Sequence, residues 1–198
     1  MSMPAPAPAP PTPRRYSVQE VLAFPADGNR YEVVHGELLV TPSPRYDHQL
    51  VVSRLVYALR SYLSAMNLAD SVLMAPADIT WGVPPRDADD LVQPDIFVVH
   101  PDEKVRSWLN VARLALAAEI VSPSSTRADR VVKRRSYQQH RVETYWIVDP
   151  DAQLVEVWHP EDERPLIVTD TLTWRPADSA PELRISLAEL FAPSRAEG

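Results

Sequence analysis

Two stretches decide the fold: Leu91-Val92-Gln93-Pro94-Asp95-Ile96-Phe97-Val98-Val99-His100 and Leu114-Ala115-Leu116-Ala117-Ala118-Glu119-Ile120-Val121. Each holds a continuous apolar run of strand length, the pattern of a strand buried on both faces. Each also carries one carboxylate, Asp95 in the first and Glu119 in the second. An unpaired carboxylate in such a place pays a large desolvation penalty or takes up a proton. A divalent cation offsets that penalty, and Mg²⁺ favours oxygen ligands and often uses only one or two carboxylates. A strand end that meets solvent or an arginine offsets it equally well.

Working outward, Ser17-Val18-Gln19-Glu20 has the order of a capping box, so a short helix is expected through Phe24. Tyr31–Val34 and Glu37–Thr41 flank His35-Gly36, a hairpin signal. Asp47 is the expected cap of a helix whose Val52, Leu55, Val56, Leu59, Leu63 and Met66 form one apolar stripe, with His48 on the same face. Ser71–Trp81 reads as one strand and Thr126–His140 as a second helix. Glu143–Val148 and Leu154–Trp158 are strands about a turn at Asp149-Pro150-Asp151. Leu166–Trp174 reads as an edge strand, and Ser186 opens a terminal helix through Phe191. Helices interleaved with strands in this order indicate an α/β protein with a mixed sheet.

The chain has 198 residues, with 21 prolines, 4 glycines and no cysteine. Residues 1–13 hold six of those prolines in an Ala-Pro alternation that favours extended polyproline II, so they are expected to form a disordered tail ahead of a single domain at 14–198. Without cysteine there are no disulfides and no thiolate sites. So few glycines cannot build a phosphate-cradling loop, and the nucleotide-binding and zinc-protease motifs are missing. No apolar run is long enough to span a membrane and no signal peptide is seen, so a cytoplasmic location is expected.

The net charge of −7 argues against a generic nucleic-acid binder, but the average conceals a division. Residues 126–141 hold six basic groups and one acid, whereas residues 70–103 hold eight acids and one base. The basic helix suits a phosphate backbone and equally suits a solvated face balancing the acids. Along it, Asp129, Lys133 and Tyr137 recur every fourth residue and share a face. Lys133 is one of only two lysines against 18 arginines. An ammonium is a compact point charge, which guanidinium is not. An ordinary i,i+4 surface pair explains Asp129 and Lys133 as well.

In order along the chain, Tyr31-Glu32, Gly36-Glu37, Ser43-Pro44, His48, Gln93-Pro94-Asp95, Glu119–Ser125, Asp129, Lys133, Tyr137 and Tyr145–Pro150 resemble the Uma-two-type endonuclease family of the PD-(D/E)XK nuclease superfamily, over roughly residues 16–192. The resemblance implies a restriction-endonuclease-like fold, a mixed central β-sheet flanked by helices. It implies Asp95 and Glu119 as ligands of Mg²⁺, with Mn²⁺ as the alternative. The superfamily lysine two residues beyond the acid is here Val121, a departure; the family places its lysine on the next helix, as Lys133. Glu37, His48, Asp129 and Tyr137 are implied supporting residues. Arg127, Arg130 and Arg134 are the expected phosphate contacts, DNA the expected substrate, and a homodimer the expected assembly. The competing expectation is a non-catalytic nucleic-acid-binding or assembly module on the same fold.

Overall fold

A computed structural model describes residues 13–81, 88–105, 107, 109, 111, 113–122 and 125–194. The proposed tail lies outside these residues apart from Pro13, as do Pro123 and Ser124 of the loop after Glu119.

The first helix, α1 (Val18–Leu22), is closed by a complete capping box between Ser17 and Glu20. The hairpin follows as β1 (Arg30–Val34) and β2 (Glu37–Thr41), paired from Arg30↔Thr41 to Val34↔Glu37. Its two loop residues both have positive φ, His35 at 48° and Gly36 at 80°. That is the conformation that matches the twist of a two-residue hairpin. A Cβ at Gly36 would also lie 2.8 Å from Nε of the exposed Arg15 side chain, which would have to shift.

Helix α2 (Tyr46–Ser64) starts ahead of the expected cap. Arg45 is extended and its carbonyl accepts from Gln49 N, so the helix opens at Arg45, and Asp47 lies in the first turn without capping it. A carboxylate there still favours the positive end of the helix. The apolar stripe from Val51 to Leu63 packs against one face of the main sheet.

That sheet has six strands in the order β3-β4-β5-β6-β7-β8: Val72–Met74, Ile96–Val99, Leu114–Ile120, Tyr145–Asp149, Leu154–Trp158 and Leu166–Val168. Only β5 and β6 run parallel. Parallel neighbours need a crossover, and the second helix supplies it. β5, wholly buried, forms the centre of the fold.

Three expected elements differ. Ser71–Trp81 gives only β3, because Pro76 has no N–H to donate and the rest pairs through bridges Ile79↔Val92 and Trp81↔Val111. Leu166–Trp174 divides at Thr169-Asp170 into β8 and β9 (Thr171–Trp174). β9 pairs instead with β10 (Leu183–Ser186), unforeseen in the sequence, which leads into α4 (Leu187–Leu190) capped by Ser186. The second helix is part π: Ala128–Lys133 are π-helical, with Arg134 N donating to Asp129 O five residues back, before α3 (Arg134–Gln139). Among the described residues no helix is long and apolar enough to cross a membrane.

The main sheet has a core layer on each face, and a smaller cluster of Val18, Val21, Val33 and Leu91 packs α1 on the hairpin. α2, β9, β10 and α4 cover one face of the sheet, where Ile96, Val98, Ala118, Ile120, Trp146 and Val148 point. On the other face, Phe97, Ala117, Val121, Tyr145 and Ile147 meet Tyr137 of α3.

Candidate active site

Strand register places the two acids together. β4 and β5 are antiparallel with Ile96 opposite Ala118, so Asp95, one residue before β4, extends the ladder opposite Glu119. Side chains alternate along a strand. Asp95 therefore shares a face with Phe97, and Glu119 with Ala117 and Val121, the face covered by the second helix. The Ile120 N–H donates to Asp95 Oδ2 at 2.9 Å, tying the acid to the neighbouring strand.

Asp95 is 5% exposed and well satisfied. Arg30 Nη1 from β1 donates to Oδ1 at 2.8 Å, and His48 Nε2 from α2 lies 3.0 Å from Oδ2. Burial alone would raise the Asp95 carboxyl. The His48 hydrogen bond, the Arg30 charge and the Ile120 N–H outweigh it and hold the group well below the usual carboxylate range. The same His48 contact leaves its Nδ1 buried without a hydrogen-bond partner.

Glu119 lies in the opposite electrostatic situation. Both of its hydrogen bonds fall on Oε1, from Lys133 Nζ at 3.0 Å and Tyr137 OH at 2.9 Å. Lys133 Nζ is also 2.8 Å from Glu32 Oε2, an ion contact without hydrogen-bond alignment, and 3.5 Å from Asp129 Oδ1. One buried ammonium thus faces three buried carboxylates. Burial pushes Glu119 well above the carboxylate range; Lys133 opposes this, and Asp95, Asp129 and Glu32 add to it. Burial likewise raises Asp129 against the pull of Lys133. Burial would lower Lys133, but the surrounding Glu119, Glu32 and Asp129 raise it and keep the ammonium charged.

The second helix delivers Lys133 and Tyr137 because its buried face carries Asp129, Lys133, Ser136 and Tyr137. Tyr145 OH donates to Asp129 O at 3.1 Å, fixing the π segment to β6. π turns of this kind are often found at functional sites.

Asp95, Glu119 and Asp129 line a cavity of about 340 Å³. Thr41 to Arg45, where β2 leads into α2, border it, as do Pro150 and Asp151. Arg30, His48, Asp95, Glu119, Asp129 and Lys133 all line it. Of the residues singled out in the sequence, Glu37 lies elsewhere: it is at the surface, 2.6 Å from Arg127 Nη1. Arg130 pairs with Asp149 at 2.7 Å and Glu156 at 2.6 Å. Arg134 donates to Gln138 Oε1 and lies over the Trp158 ring at 4.6 Å.

Sequence reasoning assigned no role to Arg30 or Glu32. Glu32 is fully buried, and besides contacting Lys133 it accepts from Gln93 N at 2.7 Å. Its signal was a carboxylate between Tyr31 and Val33 in a strand, the same feature that drew attention to Asp95 and Glu119. Arg30 left no comparable signal.

Residues 18–188 match the model of the Uma2 family, described as "Putative restriction endonuclease". Among solved structures, the chain is similar to a crystal structure described as "a putative nuclease belonging to DUF820" from Anabaena variabilis ATCC 29413. The two share 23% identity and a TM-score of 0.67, over 89% of this chain and 98% of the other. No curated protein matches the chain.

Proposed function

Because this chain belongs to the Uma2 family, we propose that it is a divalent-metal-dependent endonuclease that hydrolyses phosphodiester bonds in DNA at the cavity lined by Asp95 and Glu119. The observation that carries this reading is the placement of those two carboxylates opposite one another on adjacent strands, with a lysine ammonium 3.0 Å from the second.

The residues present fit a metal by charge. Asp95, Glu119, Asp129 and Glu32 are four buried acids against two permanent cations, Lys133 and Arg30, and the shortfall of positive charge adds to burial in raising Glu119 and Asp129. A divalent cation would balance them. Among the described residues no three His, Asp or Glu side chains form a ready-made cage. Mg²⁺ commonly takes one or two carboxylates and completes its shell with water and substrate phosphate. Asp95 and Glu119 are the residues that would hold it, with Mn²⁺ as an alternative. When bound, such a cation supplies Lewis-acid polarisation of the phosphoryl group and acidification of water.

The protein's own groups have distinct tasks. Arg30, His48 and the Ile120 N–H keep Asp95 ionised. Tyr137 and Lys133 both bind Glu119 Oε1, which fixes the carboxylate and turns Oε2 away from their hydrogen bonds. The Lys133 ammonium is available to orient a water or to stabilise negative charge developing on the phosphoryl oxygens. Glu32 and Asp129 keep that ammonium charged and in place.

The test is cleavage of plasmid DNA and of a single-stranded oligonucleotide with Mg²⁺ or Mn²⁺ by the wild type, Asp95→Ala and Glu119→Ala. Cleavage by the wild type that disappears in both variants supports the reading. Cleavage that survives both substitutions refutes it. DNA binding with no metal-dependent cleavage would favour a non-catalytic module.

A further inference from the structure

Helix α2 carries an aromatic stripe that the chemistry of the cavity leaves unused. Tyr46 is 66% exposed and Tyr57 is 76% exposed. They are eleven positions apart, which at 3.6 residues per turn puts them about 20° apart on the helix and about 16 Å along it. The half-buried Leu50 and exposed Ser53 lie between them on the same side. The stripe begins at the cavity: Arg45 and Asp47, on either side of Tyr46, both line it. The Tyr46 hydroxyl meets Ser194 Oγ at 3.2 Å, which anchors the ring at its tip.

Charge supports a nucleic-acid occupant on this side. Arg45 and α2 together hold three arginines and one acid in a chain whose net charge is −7. Arg60 there is paired with Asp70, and Arg54 donates to the Leu190 and Ala192 carbonyls, so exposed Arg45, beside Tyr46 at the cavity, is placed to meet a phosphate; on the second helix Arg130 is held by Asp149 and Glu156, and Arg134 by Gln138 and Trp158. Asp95 and Glu119 are buried and line the same cavity as Thr41–Arg45 and Pro150-Asp151, so a scissile phosphate must enter a cavity of about 340 Å³. A single strand can bend into such a recess and splay its bases outward; the bases of a duplex are stacked within it. Exposed aromatic rings bind single strands because every base has a face to stack.

We propose that the exposed face of α2, from Tyr46 to Tyr57, is a track for single-stranded DNA that leads a phosphodiester into the cavity. This rests on the nuclease reading for its purpose but on separate residues for its test.

The test is fluorescence anisotropy with a labelled oligothymidine strand and with its duplex on oligoadenine, in EDTA at fixed salt, using the full chain. The strand should bind at least about tenfold more tightly than the duplex. Tyr57→Ala and Tyr46→Ala should each weaken strand binding by about tenfold, within the range measured for loss of one stacked base. Tyr57→Phe and Tyr46→Phe should retain it, since the ring and not the hydroxyl does the stacking. Unchanged strand affinity in both alanine variants overturns the proposal, as does equal or tighter duplex binding, or no strand binding by the wild type. Tyr57-dependent strand binding in a protein that never cleaves would uphold the track and defeat the nuclease reading. Cleavage that needs Asp95 but ignores both tyrosines would do the reverse.

Discussion

Lys133 Nζ lies 3.0 Å from Glu119 Oε1 and 2.8 Å from Glu32 Oε2, with all three side chains buried. A charged group so deeply placed is held mainly by its partners rather than by bulk water. The ammonium is therefore the countercharge on which the folded site depends, as well as the group that faces the reacting phosphate in our reading.

Replacing it should show both roles. Lys133→Met leaves Glu119, Glu32 and Asp129 facing one another without a cation. Breaking a buried ion cluster in this way costs about 3–5 kcal/mol. Urea denaturation should register that loss, and DNA cleavage should disappear.

Tyr137→Phe is a milder change. It removes one hydrogen bond to Glu119 Oε1 and leaves the Lys133 contact and the ring packing in place. A stability loss of about 1 kcal/mol is expected. In steady-state cleavage kinetics kcat should fall while KM changes little, because the group acts on the carboxylate and not on the substrate.

Metal binding should be visible without catalysis. A cation bound only by the folded state adds about 2.7 kcal/mol at a hundred times its Kd. Thermal unfolding of the wild type should therefore move upward with Mg²⁺. Asp95→Ala and Glu119→Ala should each remove most of that shift, and an unchanged shift in both variants would place the cation elsewhere.

A further buried acid, outside the cavity lining, should set a pH dependence of its own. Asp90 is 1% exposed and joins the hairpin turn to α3: its Oδ1 accepts from His35 N at 2.7 Å, and its Oδ2 accepts from the Ser136 hydroxyl and lies 3.3 Å from His140 Nε2. Burial would raise its carboxyl, but the His140, Ser136 and His35 contacts lower it overall. A depressed folded-state value stabilises the protein above the unfolded value of about 3.9 and loses that contribution as pH falls through the folded value. Asp90→Asn should therefore cost about 1–3 kcal/mol at neutral pH. In denaturation curves at successive pH values, the gap to the wild type should narrow below about pH 4.

Arg130 separates structure from substrate binding. Its guanidinium bridges Asp149 of β6 and Glu156 of β7. Arg130→Ala should lower stability by about 1 kcal/mol or less, because the group is partly solvated. It should leave the salt dependence of DNA binding unchanged. A slope reduced by about one unit would instead mean that Arg130 contacts a phosphate.

The sequence by itself determined the local pieces. The capping box at Ser17, the hairpin at His35-Gly36, the apolar stripe of α2 and the apolar runs of β4 and β5 follow from propensity and periodicity, which act within a few residues. It also exposed Asp95 and Glu119 as charges set in buried strands, and Lys133 and Tyr137 as two residues on one helical face. Only the tertiary structure decided that Asp95 stands opposite Glu119, since that depends on the register of two strands joined by a long connection. It also brought in Arg30 and Glu32 from the hairpin, placed Glu37 at the surface, and gave Arg130 to two carboxylates of neighbouring strands. Backbone pattern is a local property. Which charges neutralise one another in the interior depends on contacts between residues tens of positions apart, and those exist only once the chain has folded.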